Sequence, residues 1–184
     1  MMSEPERTVD GNQIRSERDP AVRIELPEPA RYVGADRWVL YDIADCELHV
    51  FVETDERRTV RKLYWVQFEQ YVPSRPELAH TYDSPRRTAV GGLDFYVDTW
   101  IRKSEEPATV SSDLAHVEAL VHAAGYVLPA RMGTVRLVHL LDERKRKELM
   151  IIYAEDLAAD GHWPAVEPGL IERAVNTLTI QTTG

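Results

Sequence analysis

Two stretches of this chain, residues 60–72 and 90–102, sort their side chains into two unlike sets at a period of two. In the first, Val60, Tyr64, Val66, Phe68 and Val72 fall on one side, and Trp65, Gln67, Glu69 and Tyr71 on the other. In the second, Leu93, Phe95, Val97, Thr99 and Ile101 oppose Asp94, Tyr96, Asp98 and Trp100. Side chains alternate across a β-strand, so each stretch builds one greasy surface and one aromatic, acidic surface. A helix would mix the two sets. The chain is therefore read as a sheet protein whose second sheet face is polar and aromatic.

The flanking sequence fits that frame. From Trp38 to Val52 β-formers dominate, and the short polar segment Thr54–Arg58 joins this run to the next as a hairpin does. Pro73 and Pro76 mark an exit from the sheet, because proline donates no ladder hydrogen bond. Gly91-Gly92 points to a bulge or to backbone that something approaches closely. Ser111-Ser112-Asp113 reads as a helix start, followed by Leu114, Val117, Leu120, Val121 and Ala124 at helical spacing and closed by Gly125. Strands are expected near 133–141 and 147–155. In the latter, Leu149-Met150-Ile151-Ile152 is apolar on both faces, as in a central strand. A last helix carries Leu170, Ile171, Ala174, Val175 and Leu178, with Pro168 in its first turn.

The expected fold is α+β, a mainly antiparallel curved sheet in the order β-β-β-α-β-β-α with its helices packed on one face. Residues 1–30 mix charge with Pro5, Pro20, Pro27 and Pro29, and read as a disordered tail before a single α+β domain at 31–184. A formal charge of −9 argues against nucleic acid, which needs a surplus of Lys and Arg. No segment approaches the roughly 18 apolar residues that span a bilayer. The single cysteine, Cys46, fits a reducing compartment, so the cytoplasm is the expected location.

Placing the two stretches side by side about His80 pairs residues whose numbers sum to about 161, setting Trp65 against Tyr96 and Gln67 against Asp94. Trp65, Gln67, Glu69, Tyr71, Asp94, Tyr96, Asp98 and Trp100 then form the expected ligand-binding face. Carboxyls among aromatic rings acquire raised pKa values, which makes Glu69 and Asp94, with His80, the candidate acid–base residues. His116 and His122, six apart on one helix, cannot share a metal, and no other ligand spacing stands out. No metal and no cofactor is expected. The leading expectation is a domain that binds a small, partly apolar molecule on this face. The alternatives are an enzyme using Glu69 or Asp94 with His80, and a homodimer formed through the same face.

Overall fold

The computed structural model describes residues 4–184. In chain order its elements are β1 (Thr8–Asp10), β2 (Gln13–Ser16), β3 (Val22–Glu25), β4 (Arg31–Leu40), β5 (Ala44–Thr54), β6 (Val60–Tyr71), β7 (Arg86–Val90), β8 (Leu93–Lys103), α1 (Asp113–Ala123), β9 (Arg131–Leu140), β10 (Lys147–Asp156), α2 (Trp163–Asn176) and β11 (Thr179–Thr182). They form a seven-stranded sheet ordered β4-β5-β6-β10-β9-β8-β7 and a four-stranded sheet ordered β1-β2-β3-β11. Pairing within both sheets is antiparallel. The mainly antiparallel α+β reading holds, and the simple element order does not. No helix among the described residues is long and apolar enough to cross a membrane.

The alternation read from the sequence divides the core into two layers. Tyr64, Val66 and Phe68 of β6 join Phe95, Val97, Leu137, Leu149 and Ile151 against the small sheet and α2, through Ile14, Ile24, Leu170 and Ala174. On the reverse, Trp65, Met150 and Ile152 pack with Leu48, Val50 and Val138 under Val117 and Val121 of α1. Val60 joins this second layer, next to a register shift between Glu53 and Thr54. The helices therefore cover opposite faces, not one.

The expected tail is folded from residue 8 to residue 25. Ile14, Val22 and Ile24 are fully buried against the large sheet, a spacing hidden by the charges between them. A second anchor is Glu47 on β5, whose carboxylate accepts the backbone N–H of Glu6 and of Arg7, both at 2.8 Å, and lies 2.9 Å from His49 Nε2. Burial pushes this carboxyl up, but those bonds and the Arg7 charge prevail and hold it down at about 2.

Three further expectations change. β6 and β8 are not neighbours, because the β9–β10 hairpin lies between them and supplies the doubly covered central strand that 149–152 announced. A hairpin turn separates β4 from β5 at Tyr41 and Asp42, both with positive φ, where no glycine or proline signals it. Helix α2 begins at Trp163 with Pro164 in its first turn, which places Pro168 inside the helix. Ser112 caps α1 as expected, its hydroxyl accepting the Ala115 N–H at 3.3 Å.

Gly91 and Gly92 make the β7–β8 turn with φ of +59° and +82°. A Cβ on Gly91 would lie 2.0 Å from the Ile180 carbonyl of β11, whereas one on Gly92 would meet open space. Gly92→Ala is therefore expected to cost only the left-handed backbone penalty, about 1 kcal/mol, in urea unfolding. Gly91→Ala should cost clearly more, since it also drives the small sheet off the large one.

Candidate functional site

The pairing of β6 with β10 sets Glu69 directly opposite Glu148, their side chains on the α1 side of the sheet. Like charges facing across a strand pair repel, so this is an unfavourable place for two ordinary glutamates. The third member, His80, comes from the connection between β6 and β7. Its backbone N–H donates to the Lys145 carbonyl at 2.7 Å. The Arg146 guanidinium fixes the same connection by donating to the carbonyls of Tyr71, Val72, Arg75 and Leu78 at 2.8–3.3 Å. So held, His80 places Nδ1 3.1 Å from Glu148 Oε2. One donor atom from each of Glu69, His80 and Glu148 lies within 4.8 Å of the others. Exposure is 5% for His80 and 2% for Glu148.

Each carboxylate has a neutral donor behind it. Tyr82 OH donates to Glu148 at 2.7 Å, and Gln67 Nε2 donates to Glu69 at 3.1 Å while its own oxygen accepts Trp65 Nε1–H at 2.8 Å. No Lys or Arg among the described residues hydrogen-bonds either carboxylate. Burial, and then the charge of Asp113, pushes Glu69 up to about 7, against hydrogen bonds from Gln67 and Cys46. Burial, and then the charge of Glu69, pushes Glu148 up to about 8, against Tyr82 and the charge of Arg136. Burial lowers His80 to about 4, against the Arg146 carbonyl. The contact between His80 and Glu148 is thus a neutral imidazole beside a carboxyl that holds its proton near neutral pH, not an ion pair. Three buried polar atoms around the cluster, His80 Nε2, Asp113 Oδ1 and Arg136 Nε, have no hydrogen-bond partner.

Of the three acid–base candidates, the structure joins Glu69 with His80 and leaves Asp94 out. Asp94 lies at the start of β8, with β9 between it and Glu148, 60% exposed at its side chain and paired with Arg87. The predicted register of Gln67 against Asp94 and Trp65 against Tyr96 is replaced: Gln67 faces Met150 and Leu48, and Trp65 faces Ile152 and Val50. Tyr71 stacks on His80 with ring centroids 4.4 Å apart, and Tyr96 lies 5.7 Å from the Tyr82 ring. Asp98 accepts Ser84 Oγ–H at 2.6 Å and the Arg136 guanidinium at 3.0 Å. Trp65 is a core residue, 7% exposed. With Trp100 it borders an apolar cavity of about 110 Å³ beneath α1.

Glu148 is the member that sequence reasoning missed. Its signal was there: a carboxylate at the start of a strand otherwise apolar on both faces, from Leu149 to Ile152. Asp113 was read only as a first-turn helix acid, yet it bears electrostatically on Glu69. The segment His162–Pro164 opens α2, and Trp163 packs over Gly133.

No protein-family model, curated protein or solved structure matches this chain.

Because the folded-state pKa of Glu148 lies above its ordinary value of 4.5, its contribution to stability is complete below that value and is lost as pH rises through about 8. Unfolding free energy of the metal-free protein should therefore fall from pH 5 to about pH 8, by up to about 1.4 kcal/mol per pH unit for one proton. Denaturant titrations of Glu148→Gln should show a flatter profile over that interval and greater stability than the parent at its alkaline end.

Proposed function

We propose that the protein binds a small, partly apolar molecule at the polar end of the α1-side face. Glu69, Glu148 and His80 meet its polar group, and Tyr71, Tyr82 and Tyr96 supply an aromatic surround. The observation that carries this reading is the facing carboxylate pair, Glu148 buried and Glu69 half-buried, beside a histidine and hydrogen-bonded by no cationic side chain. A sheet gains nothing in stability from such a pair, and apolar residues of similar volume would hold β6 to β10 at least as well. Its presence is accounted for by a task.

The binding set is accordingly narrower than the whole face. Trp65 and Gln67 act from behind, as a buried relay that orients Glu69, and Asp94 has no part. Trp65→Ala is not a test of binding, because emptying that core position would cost about 3–5 kcal/mol. The homodimer reading draws no support from a face on which α1 already packs.

Acid–base catalysis is the second reading, and the raised pKa values favour it. Glu69, held at about 7, is suited to give and take a proton near neutral pH, with His80 and Glu148 as its relay.

An NMR screen of a small-molecule fragment library tests both readings. Bound fragments are expected to shift the amides of β6, β10 and the 73–85 connection. Glu148→Gln and Tyr82→Phe should weaken those hits about tenfold or more while the fold is retained. Hits scattered over other surfaces, or indifferent to both substitutions, would overturn the binding reading. Glu69→Gln separates the two: it should preserve affinity and abolish turnover if the residue transfers a proton.

A further inference from the structure

We propose that Glu69, His80 and Glu148 form the seat of one first-row divalent transition cation, taken up through two carboxylate oxygens and the imidazole Nδ1. This rests on the same side chains as the binding reading but not on any organic ligand, since the cation alone is the test.

The argument begins with spacing. Metal–ligand bonds of about 2.0–2.2 Å place neighbouring donors of a tetrahedral site roughly 3.4 Å apart. The three donor atoms here already lie within 4.8 Å of one another. Glu148 Oε2 and His80 Nδ1 are 3.1 Å apart, so only Glu69 has to close in, by a side-chain adjustment. Charge points the same way: the two facing carboxylates have no guanidinium or ammonium hydrogen-bonded to them, and Arg136 spends its Nη2 on Asp98. A dication lying between the carboxylates turns their repulsion into shared attraction.

The surroundings carry the argument further. His80 is buried, 5% exposed, its ring stacked on Tyr71, and its Nε2 has no hydrogen-bond partner. With no partner fixing the ring at Nε2, the nitrogen offered to a cation is Nδ1, which faces Glu148. Each carboxylate ligand is oriented by one outer donor, Tyr82 for Glu148 and Gln67 for Glu69, and Gln67 is itself fixed by Trp65. Neutral outer-shell donors of this kind hold ligands in place without competing for the cation's charge. The ligands stand on the two adjacent central strands and on a connection that Arg146 ties down by four carbonyls, so the seat is rigid.

Two carboxylates with one imidazole suit Zn²⁺, Mn²⁺ or Fe²⁺ better than Mg²⁺, which favours oxygen donors in a strict octahedron. Three protein ligands leave at least one coordination position for water or for a polar group of a bound molecule. That position is where the proposed ligand and the cation would meet.

The test uses tag-free full-length protein stripped with chelator and titrated with Zn²⁺ by calorimetry. Co²⁺ absorption reports the geometry, and Mn²⁺ broadening of amide signals reports the place. Expected are uptake of one Zn²⁺ per chain and Mn²⁺ broadening centred on residues 69, 80 and 148. Glu148→Gln should weaken uptake by more than about 100-fold and the outer-shell variant Tyr82→Phe by about tenfold. Asp98→Asn, on the same face but outside the seat, should change nothing. Absence of stoichiometric uptake by the folded parent protein would overturn the proposal. So would uptake that survives Glu69→Gln combined with Glu148→Gln, or broadening centred on another histidine. Should Glu148→Gln fail to fold, the Mn²⁺ map of the parent protein still decides. Fragment binding that persists in chelator while Zn²⁺ uptake fails would remove the cation and leave the binding reading standing.

Discussion

The antiparallel pairing of β6 with β10 is the contact on which the rest of the molecule depends. It lies at the centre of the seven-stranded sheet, and its register runs from Lys62 opposite Glu155 to Gln70 opposite Lys147. One side of that ladder sets the Tyr64 ring at a tilt against Tyr153 and packs Val66 and Ile151 against the small sheet. The other side begins as apolar core, at Trp65 and Ile152, and ends as two facing carboxylates. A slip of one residue would invert every one of these side chains, so the core and the candidate site are specified by the same hydrogen bonds. The stability that ordinary packing provides along the ladder is what permits an unfavourable pair at its end.

Two buried glutamates on opposite faces of this sheet show how environment alone sets their chemistry. Glu47 and Glu148 are each 2% exposed. Glu47 receives two backbone N–H groups, an arginine and a histidine, and is held near 2, so it serves as an anchor for the N-terminal segment. Glu148 receives one phenol and faces another carboxylate, and rises to about 8. Anchoring requires a fixed charge. Proton transfer, or exchange of protons for a cation, requires a charge that is held back until the right partner arrives.

Much of the fold was legible because it rests on local periodicity. The two-faced runs, the capped start of α1, the hairpin at Thr54–Arg58 and the doubly covered strand at 149–152 all follow from side-chain alternation or from one or two cap residues. What escaped was non-local. Nothing near Phe68 or Phe95 says that β9 and β10 will lie between their strands, and so Glu69 was matched with β8 rather than with Glu148. The strands at 8–25 were missed because charged and proline residues mask the few apolar positions, Ile14, Val22 and Ile24, that actually dock. In the sequence Arg146 is one of four consecutive basic residues, Arg144 to Lys147; its role as a clamp on four carbonyls appears only once the 73–85 connection is folded back on that turn. Glu69 and His80 were singled out because their residue types fit acid–base work, and the same criterion singled out Asp94, which alternates onto the same face at the same end of the sheet but is separated from Glu148 by β9.

The most direct test of this account is a carboxyl ¹³C NMR titration of the metal-free protein with its glutamates labelled. The account predicts two glutamate carboxyls, those of Glu69 and Glu148, that still carry protons near pH 6 and titrate around 7 and 8, while Glu47 remains ionised down to about pH 3. Glutamate midpoints that all cluster near the ordinary value of 4.5 would contradict it. They would mean that the facing pair is solvated, and that the centre of this sheet holds no poised site.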